Sequence, residues 1–252
     1  MATQTKPKVK TGGNGSADSK LSAMASSKSP KKSQKGDDGE IQRIVIPAPK
    51  FNVTEFTLRG ATRLVTHHLS EKTRKMIAPT VGITPEGADK VSLKKKPPRN
   101  PVAEFERSRY PVPGKKGVFG CPAIALKECL VVTAKRYYNV DKVRMYGSLW
   151  IDEEIIPVVD EHGKPMQPVM REDAVIIGGR NKARDLRYRG SFEAPWFMHV
   201  RVRYDADTLD DATLGNLFHR AGYAVGLLEW RSDKGGEWGK FDVVKCTGQE
   251  AQ

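Results

Sequence analysis

The clearest pattern in the sequence is a strict alternation of apolar and polar residues over Trp196–Tyr204. Successive side chains of a β-strand point to opposite faces, so this segment is predicted to be a strand with one buried face. Weaker alternation predicts strands at Val53–Leu58, Arg144–Ile151 and Lys240–Cys246. The polar face of the Trp196–Tyr204 strand would consist of Phe197, His199, Arg201 and Arg203.

Apolar residues at helical spacing predict three helices. The segment Thr62–Ile77 is amphipathic, whereas Ala123–Arg136 is apolar on most sides and is predicted to be buried, with Cys129 in the core. A third helix is predicted over Thr208–Ala221, which begins with a favourable N-cap residue, and Gly222 is placed to end it. The stripe predicted to be buried on this helix consists of Leu214, Leu217, Phe218 and Ala221.

In chain order these elements approximate β-α-β-β-α-β, the ferredoxin-like arrangement. The predicted fold is therefore α+β, with an antiparallel sheet that has helices on one face and leaves the other face free. Residues 41–252 are expected to form this single domain, with a basic, proline- and lysine-rich loop inserted at 78–118. Residues 1–40 almost lack large apolar side chains, so they are predicted to be a disordered tail. The free face would carry Arg144, Tyr146, Trp150, Phe197, His199, Arg201 and Arg203.

The chain of 252 residues is strongly basic, with 43 Lys and Arg residues against 30 Asp and Glu residues and a net charge of +13. The tail holds eight lysines and four acidic residues, so the predicted domain keeps a charge of +9. A basic domain indicates a polyanionic partner, most often nucleic acid. The alternative is a protein with a solvated positive surface, because charge alone does not separate the two.

Three cysteines, without a CxxC pair or histidines at zinc spacing, fit a reduced, cytoplasmic compartment. No apolar run approaches about 18 residues, so no membrane span is expected. The N-terminus has no apolar signal-peptide region, so secretion by that route is not expected. The sequence contains neither a P-loop nor an H-E-x-x-H motif, and no metal site, cofactor or catalytic residue is predicted.

Two further segments interleave basic residues with aromatic residues or glycines. The first, REDAVIIGGRNKARDLRYRG, indicates either a groove that follows a nucleic-acid strand or a solvated edge strand. The second, at 222–246, is glycine-rich, and glycines let a backbone come close to a ligand. The residues predicted to bind nucleic acid are Arg184, Arg187, Tyr188, Arg189, Phe197, His199, Arg201, Arg203, Trp230, Arg231, Lys234, Gly235, Gly236, Trp238, Gly239 and Lys240.

The glycine-rich segment resembles a loop of the RAMP superfamily, the ferredoxin-like RNA-binding proteins of CRISPR effectors. That family has a glycine-rich loop between its second helix and its final strand. The corresponding positions here would be Gly226, Gly235, Gly236 and Gly239, followed by Lys240 and Phe241. The phrases REDAVII, DLRYR and AGYAVGLLEWRSDKGGEWGKFDV also resemble uncharacterised tailed-bacteriophage proteins, over most of residues 41–252. These resemblances imply RNA binding by an RRM-like sheet, in the cytoplasm of a host cell.

The leading hypothesis is a phage-encoded protein that binds single-stranded RNA or DNA, in preference to duplex, without cleaving it. Whether copies of the chain assemble along the bound strand is left open. One alternative is an assembly or anti-defence protein whose basic surface contacts an acidic protein. Another is a metal-independent ribonuclease that uses His67, His68 or His199. A general base needs a partner and a placed substrate, and the sequence shows neither.

Overall fold

A four-stranded antiparallel sheet lies at the centre of the computed structural model, which describes residues 46–68, 100–176 and 184–250. The strands are β1 Phe51–Gly60, β2 Leu64–Thr66, β3 Gly120–Pro122, β4 Leu149–Ile151, β5 Ile155–Pro157, β6 Val169–Ile176, β7 Arg184–Phe192, β8 Phe197–Asp205 and β9 Phe241–Glu250. The helices are α1 Pro101–Ser108, α2 Ala123–Tyr138, α3 Lys142–Ser148 and α4 Asp211–Ala224. The predicted tail at 1–40 and positions 78–99 of the predicted insertion lie outside the described residues.

The central sheet has the order β4-β8-β1-β9, and every pair of neighbours is antiparallel. Helix α2 lies between β1 and β4 in the chain, and helix α4 lies between β8 and β9. A second sheet has the order β2-β7-β6, and a short β3-β5 pair forms a third. The described protein is therefore α+β with antiparallel sheets, as the sequence predicts.

One hydrophobic core joins helices α2 and α4 to a single face of the central sheet. Phe56 on β1 stacks on Phe218 of α4, with ring centroids 4.0 Å apart. Cys129 of α2 is 3% exposed, so its predicted place in the core is confirmed. The sheet residues in this core include Phe56, Leu58, Met198, Val200, Val202 and Tyr204, and the helix residues include Leu126, Leu130, Leu214, Leu217, Phe218 and Ala221.

The predicted helix over Thr62–Ile77 is wrong at its start, where Leu64–Thr66 is strand β2 paired with β7. All three residues of this strand are buried. A strand covered on both faces gives a continuous apolar run, and such a run is not distinguished from a helix by spacing. Positions 69–77 lie outside the described residues.

The predicted strand over Arg144–Ile151 is correct only for its last three residues. Asp141 caps helix α3 by accepting a 2.9 Å hydrogen bond from the backbone N–H of Arg144. Arg144 and Tyr146 are thus on a helix, where the Tyr146 hydroxyl donates to Glu128. Both residues are therefore absent from the free sheet face to which the alternation assigned them.

Helix α4 confirms the predicted buried stripe but not the predicted ends. Asp210, not Thr208, is the N-cap, and its carboxylate accepts from the N–H of Thr213 at 2.6 Å. Gly222 lies inside the helix, where an added Cβ would come within 2.0 Å of the Phe241 carbonyl oxygen. Its function is therefore close packing of α4 against β9 rather than helix termination.

Candidate functional site

The face of the central sheet opposite the helices carries polar, basic and aromatic side chains. Residues directly opposite one another on antiparallel strands share a face, so the register places Arg201 beside Glu55, His199 beside Thr57 and Arg203 beside Trp150. We call this surface the open sheet face. Its members include Val53, Glu55, Thr57, Arg59, Trp150, Phe197, His199, Arg201, Arg203, Asp242, Lys245 and Thr247, of which Val53 is buried.

Two arginines of the open sheet face share one carboxylate. Asp152 Oδ2 lies 3.7 Å from Arg201 Nε, and its Oδ1 lies 3.6 Å from Arg203 Nη2. Both arginine side chains keep about half of their surface exposed, at 52% and 50%. Asp152 thus pairs with both arginines, and the exposed half of each side chain remains accessible to an anionic ligand.

A groove of about 630 Å³ runs along this face between β8, β1 and β9. The His199 ring, at Nδ1, is 3.1 Å from the Thr57 hydroxyl within it. Trp150, which is 62% exposed, lies on the same face at the position opposite Arg203. The groove is lined by Glu55, Phe56, Thr57, Glu153, His199, Val200, Arg201, Val244, Lys245 and Thr247.

Of the residues predicted to bind, Phe197, His199, Arg201 and Arg203 lie together on the open sheet face. The predicted residues of β7 belong to the second sheet instead. Cross-strand pairing places Arg187 and Arg189 on one face of that sheet, while Arg184 and Tyr188 lie on the other. The basic and aromatic run DLRYR is consequently divided between two faces.

Arg189 lies within a group of charged and aromatic residues that we call the buried arginine cluster: Arg171, Asp173, Arg189, Glu229 and Trp238. Its side chain is 1% exposed, and Nη1 lies 3.7 Å from Glu229 Oε2 and 3.9 Å from Asp173 Oδ2. Burial is the largest cause of a lowered pKa for this guanidinium. Arg189 is therefore enclosed by other residues of the protein and differs in this from the half-exposed Arg201 and Arg203.

The glycines of the loop that follows α4 are explained mainly by the packing of the loop itself. Gly226, Gly235 and Gly239 have φ values of 77°, 78° and 71°, in the region that L side chains rarely adopt. At Gly236, an added Cβ would lie 1.8 Å from the Trp230 carbonyl oxygen. At Gly239, it would lie 2.1 Å from the Leu227 carbonyl oxygen. Close approach of backbone to backbone therefore accounts for both positions without a ligand.

Most polar side chains of this loop have partners inside the loop. Arg231 pairs with Asp233 at 3.5 Å and donates a 2.9 Å hydrogen bond to the Leu228 carbonyl. Lys240 pairs with Glu237. Lys234 is exposed.

The two tryptophans of the loop differ in their surroundings. Trp230 is 41% exposed, and its ring centroid lies 5.5 Å from that of Trp238. Trp238 is half-buried beneath the Arg171 guanidinium, at 4.6 Å from the ring centroid. Trp230 is therefore the more accessible of the two for stacking.

Backbone hydrogen bonds attach the loop to the chain just beyond the end of β1. Gly239 N–H donates to the Arg63 carbonyl at 2.8 Å, and Ala61 N–H donates to the Lys240 carbonyl at 2.9 Å. Arg59, the last residue of the open sheet face on β1, is opposite Asp242 of β9. The loop is therefore attached at the end of β1, and its Asp233 pairs with Arg136 of helix α2, which packs on the covered face of the sheet.

A second, smaller cavity of about 210 Å³ brings together residues that the sequence did not connect. It is lined by polar groups of His67, Tyr110, Glu128, Glu229 and Arg231. Burial, and then the charge of Arg189, lowers the pKa of His67. Burial raises the pKa of Tyr110 to about 12. Because His67 precedes helix α1 and Glu229 follows helix α4, no local motif could indicate this cavity.

No family model matches this sequence, and no curated protein matches it either. Within residues 46–68, 100–176 and 184–250, no helix is long and apolar enough to cross a membrane. Over the same ranges, no group of three or more His, Cys, Asp and Glu side chains is placed to hold a metal ion.

Proposed function

We propose that this chain binds single-stranded nucleic acid, without cleaving it, through the open sheet face. The observation that carries this proposal is the presence of half-exposed Arg201 and Arg203 on one solvent-facing surface with Phe197, His199 and Trp150. Guanidinium groups bind phosphates, and aromatic rings stack on unpaired bases. Bases of a duplex are already paired and stacked, so single strands are the preferred ligand.

The proposed ligand also accounts for the charge of the protein. The net charge of +13 attracts a polyanion over distances longer than any individual contact. Arg59 extends the basic surface towards the glycine-containing loop, where Lys234 and Trp230 are exposed.

A ferredoxin-like core is part of the same proposal. Its support is the chain order β1-α2-β4-β8-α4-β9 together with the sheet order β4-β8-β1-β9 and the two helices on one face. The loop between α4 and β9 occupies the place of the glycine-rich loop in the RAMP superfamily. We propose on these grounds a RAMP-like, phage-encoded protein.

Fluorescence anisotropy with a short labelled RNA, the matching single-stranded DNA and a duplex would test the proposed function. We expect single strands to bind more tightly, with log affinity falling against log salt by about 0.7 per phosphate contacted. Replacing both arginines, Arg201→Gln with Arg203→Gln, should reduce that slope by about 1.4 if each arginine contacts one phosphate. Arg144→Gln, which removes an exposed arginine from helix α3 instead, serves as the matched control.

Absence of binding at low salt would overturn the proposed function. A stable homo-oligomer that persists after nuclease treatment, without retained nucleic acid, would favour an assembly protein. Cleavage of the RNA in a metal chelator, abolished by His67→Ala, would favour the ribonuclease alternative. That alternative has its own support in the cavity that places His67 near Tyr110 and Glu229.

A further inference from the structure

The groove on the open sheet face differs in charge from the rims of that face. Within the groove, the acidic side chains Glu55 and Glu153 accompany the basic side chains Arg201 and Lys245. These four charges balance, and one more carboxylate, Asp152, already contacts Arg201. A phosphate in the groove would meet two carboxylates and be repelled by both. The groove itself therefore suits a neutral group, and Arg203 and Arg59 lie at its rims.

The two carboxylates of the groove differ in how accessible they are to a ligand. Glu55 is opposite Arg201 across the β1–β8 pair, yet the Arg201 Nε is directed to Asp152 at 3.7 Å. The Oε2 atom of Glu153 is enclosed and has no hydrogen-bond partner in the described part of the chain. That atom is too enclosed to meet a ligand directly, so the exposed Glu55 is the carboxylate of the groove that can accept hydrogen bonds from a ligand's N–H groups.

We infer that the groove receives an unpaired guanine base, an inference that rests on the proposed function. Guanine presents two adjacent donors, N1–H and the 2-amino group, that a carboxylate accepts together. Cytosine and adenine offer a single amino group on that edge, and uracil offers one imide N–H. The acceptors of guanine, O6 and N7, match donors of the kind supplied by Arg201, Lys245 and His199.

The shape of the groove agrees with this assignment. A volume of about 630 Å³ lies within the range of about 300–1,000 Å³ found for small-ligand sites. The His199 ring and the Arg201 guanidinium supply planar groups for stacking inside the groove. Phosphates on either side of the base would then be held by Arg203 and Arg59 at its rims. Glu55 becomes the specificity-determining residue in this arrangement, with Glu153 beside it in the lining of the groove.

The test uses the full chain and a short uridine-only strand, in whichever backbone, RNA or DNA, binds more tightly. One central nucleotide is replaced in turn by guanosine, inosine, adenosine or cytidine, and affinity is measured by anisotropy. We expect the guanosine strand to bind at least about ten-fold more tightly than the uridine strand. Inosine, which lacks the 2-amino group, should lose most of this gain.

The isosteric variant Glu55→Gln should reduce the preference for guanosine while retaining salt-dependent binding, and Glu153→Gln should reduce it less. Glu161→Gln, in the exposed turn between β5 and β6, is the matched control and should retain the preference. Equal affinity for all central bases, or a preference for another base, would overturn the inference and leave the proposed function standing. Failure of every strand to bind would overturn both.

Discussion

Two sheet faces of this protein both carry arginines and aromatic residues, but one face is exposed to solvent and the other is covered. On the open sheet face, Arg201 and Arg203 alternate with core residues of β8 and remain half exposed. In the buried arginine cluster, Arg189 also belongs to a basic strand, β7, but is 1% exposed. Alternation along a strand determines which residues share a face, and it leaves open whether that face meets solvent.

The difference arises from what covers each face. Glu229 and Trp238 of the loop after α4 lie over one face of β6 and β7, where Trp238 packs under Arg171 and Glu229 approaches Arg189. Helices α2 and α4 cover only the opposite side of the central sheet. Carboxylates accompany the buried guanidinium because an unpaired charge in the interior is very costly. The same side chain therefore stabilises the fold in one sheet and is available to a ligand in the other.

The largest effect expected from this comparison concerns stability. Arg189→Met would remove a buried guanidinium beside Asp173 and Glu229, and it should lower the free energy of unfolding by about 3 kcal/mol, because Arg171 still pairs with Asp173 at 2.7 Å. Arg203→Met, on the open sheet face, should change it by no more than about 0.5 kcal/mol. Urea unfolding followed by circular dichroism measures both. Equal losses in the two variants would show that the two arginines do not differ in the way described.

A smaller effect is expected on binding, and it distinguishes Trp150 on the open sheet face from Trp238 in the buried arginine cluster. Trp150→Ala should weaken binding of a single strand by about 1–3 kcal/mol, the cost of losing one stacked base, because this ring is 62% exposed on the open sheet face. Trp238→Ala should act mainly on stability, because its ring packs against Arg171 and Trp230. Anisotropy and thermal unfolding on both variants provide the comparison. A larger loss of affinity in Trp238→Ala would place the interface on the loop instead.

The smallest expected effect is a dependence of protein stability on pH, caused by His67, whose pKa is influenced by Arg189 of the buried arginine cluster. Burial and the charge of Arg189 lower the pKa of His67 in the folded protein, so below about pH 6.5 the unfolded chain binds a proton more readily. The stability contributed by this residue is therefore complete above that pH and is lost as the pH falls through it.

The measurement is urea unfolding between pH 7.5 and 5 for the wild type and His67→Asn. We expect a flatter profile in His67→Asn, since the substitution removes the titrating group. His199→Asn controls for the loss of an exposed histidine on the open sheet face. Parallel profiles for the wild type and His67→Asn would contradict the assignment.

The elements that the sequence predicted correctly are those whose pattern depends on a single covered face. Strand β8 alternates because one side meets the core, and helix α4 shows the stripe Leu214, Leu217, Phe218 and Ala221 for the same reason. Strand β2 and helix α3 were assigned wrongly. All of β2 is buried, so it has no alternation, and α3 is too short for its helical period to outweigh an accidental alternation.

The sequence by itself determined that the protein is basic, that it is α+β, and that Phe197, His199, Arg201 and Arg203 share one face of a strand. These properties follow from charge and from the period of two residues along a strand. Only the tertiary structure decided that this face stays open while Arg189 is buried, and that Glu55 and Glu153 join His199 in one groove. Such neighbours come from strands and loops far apart in the chain, and a local pattern carries no information about which surfaces pack together.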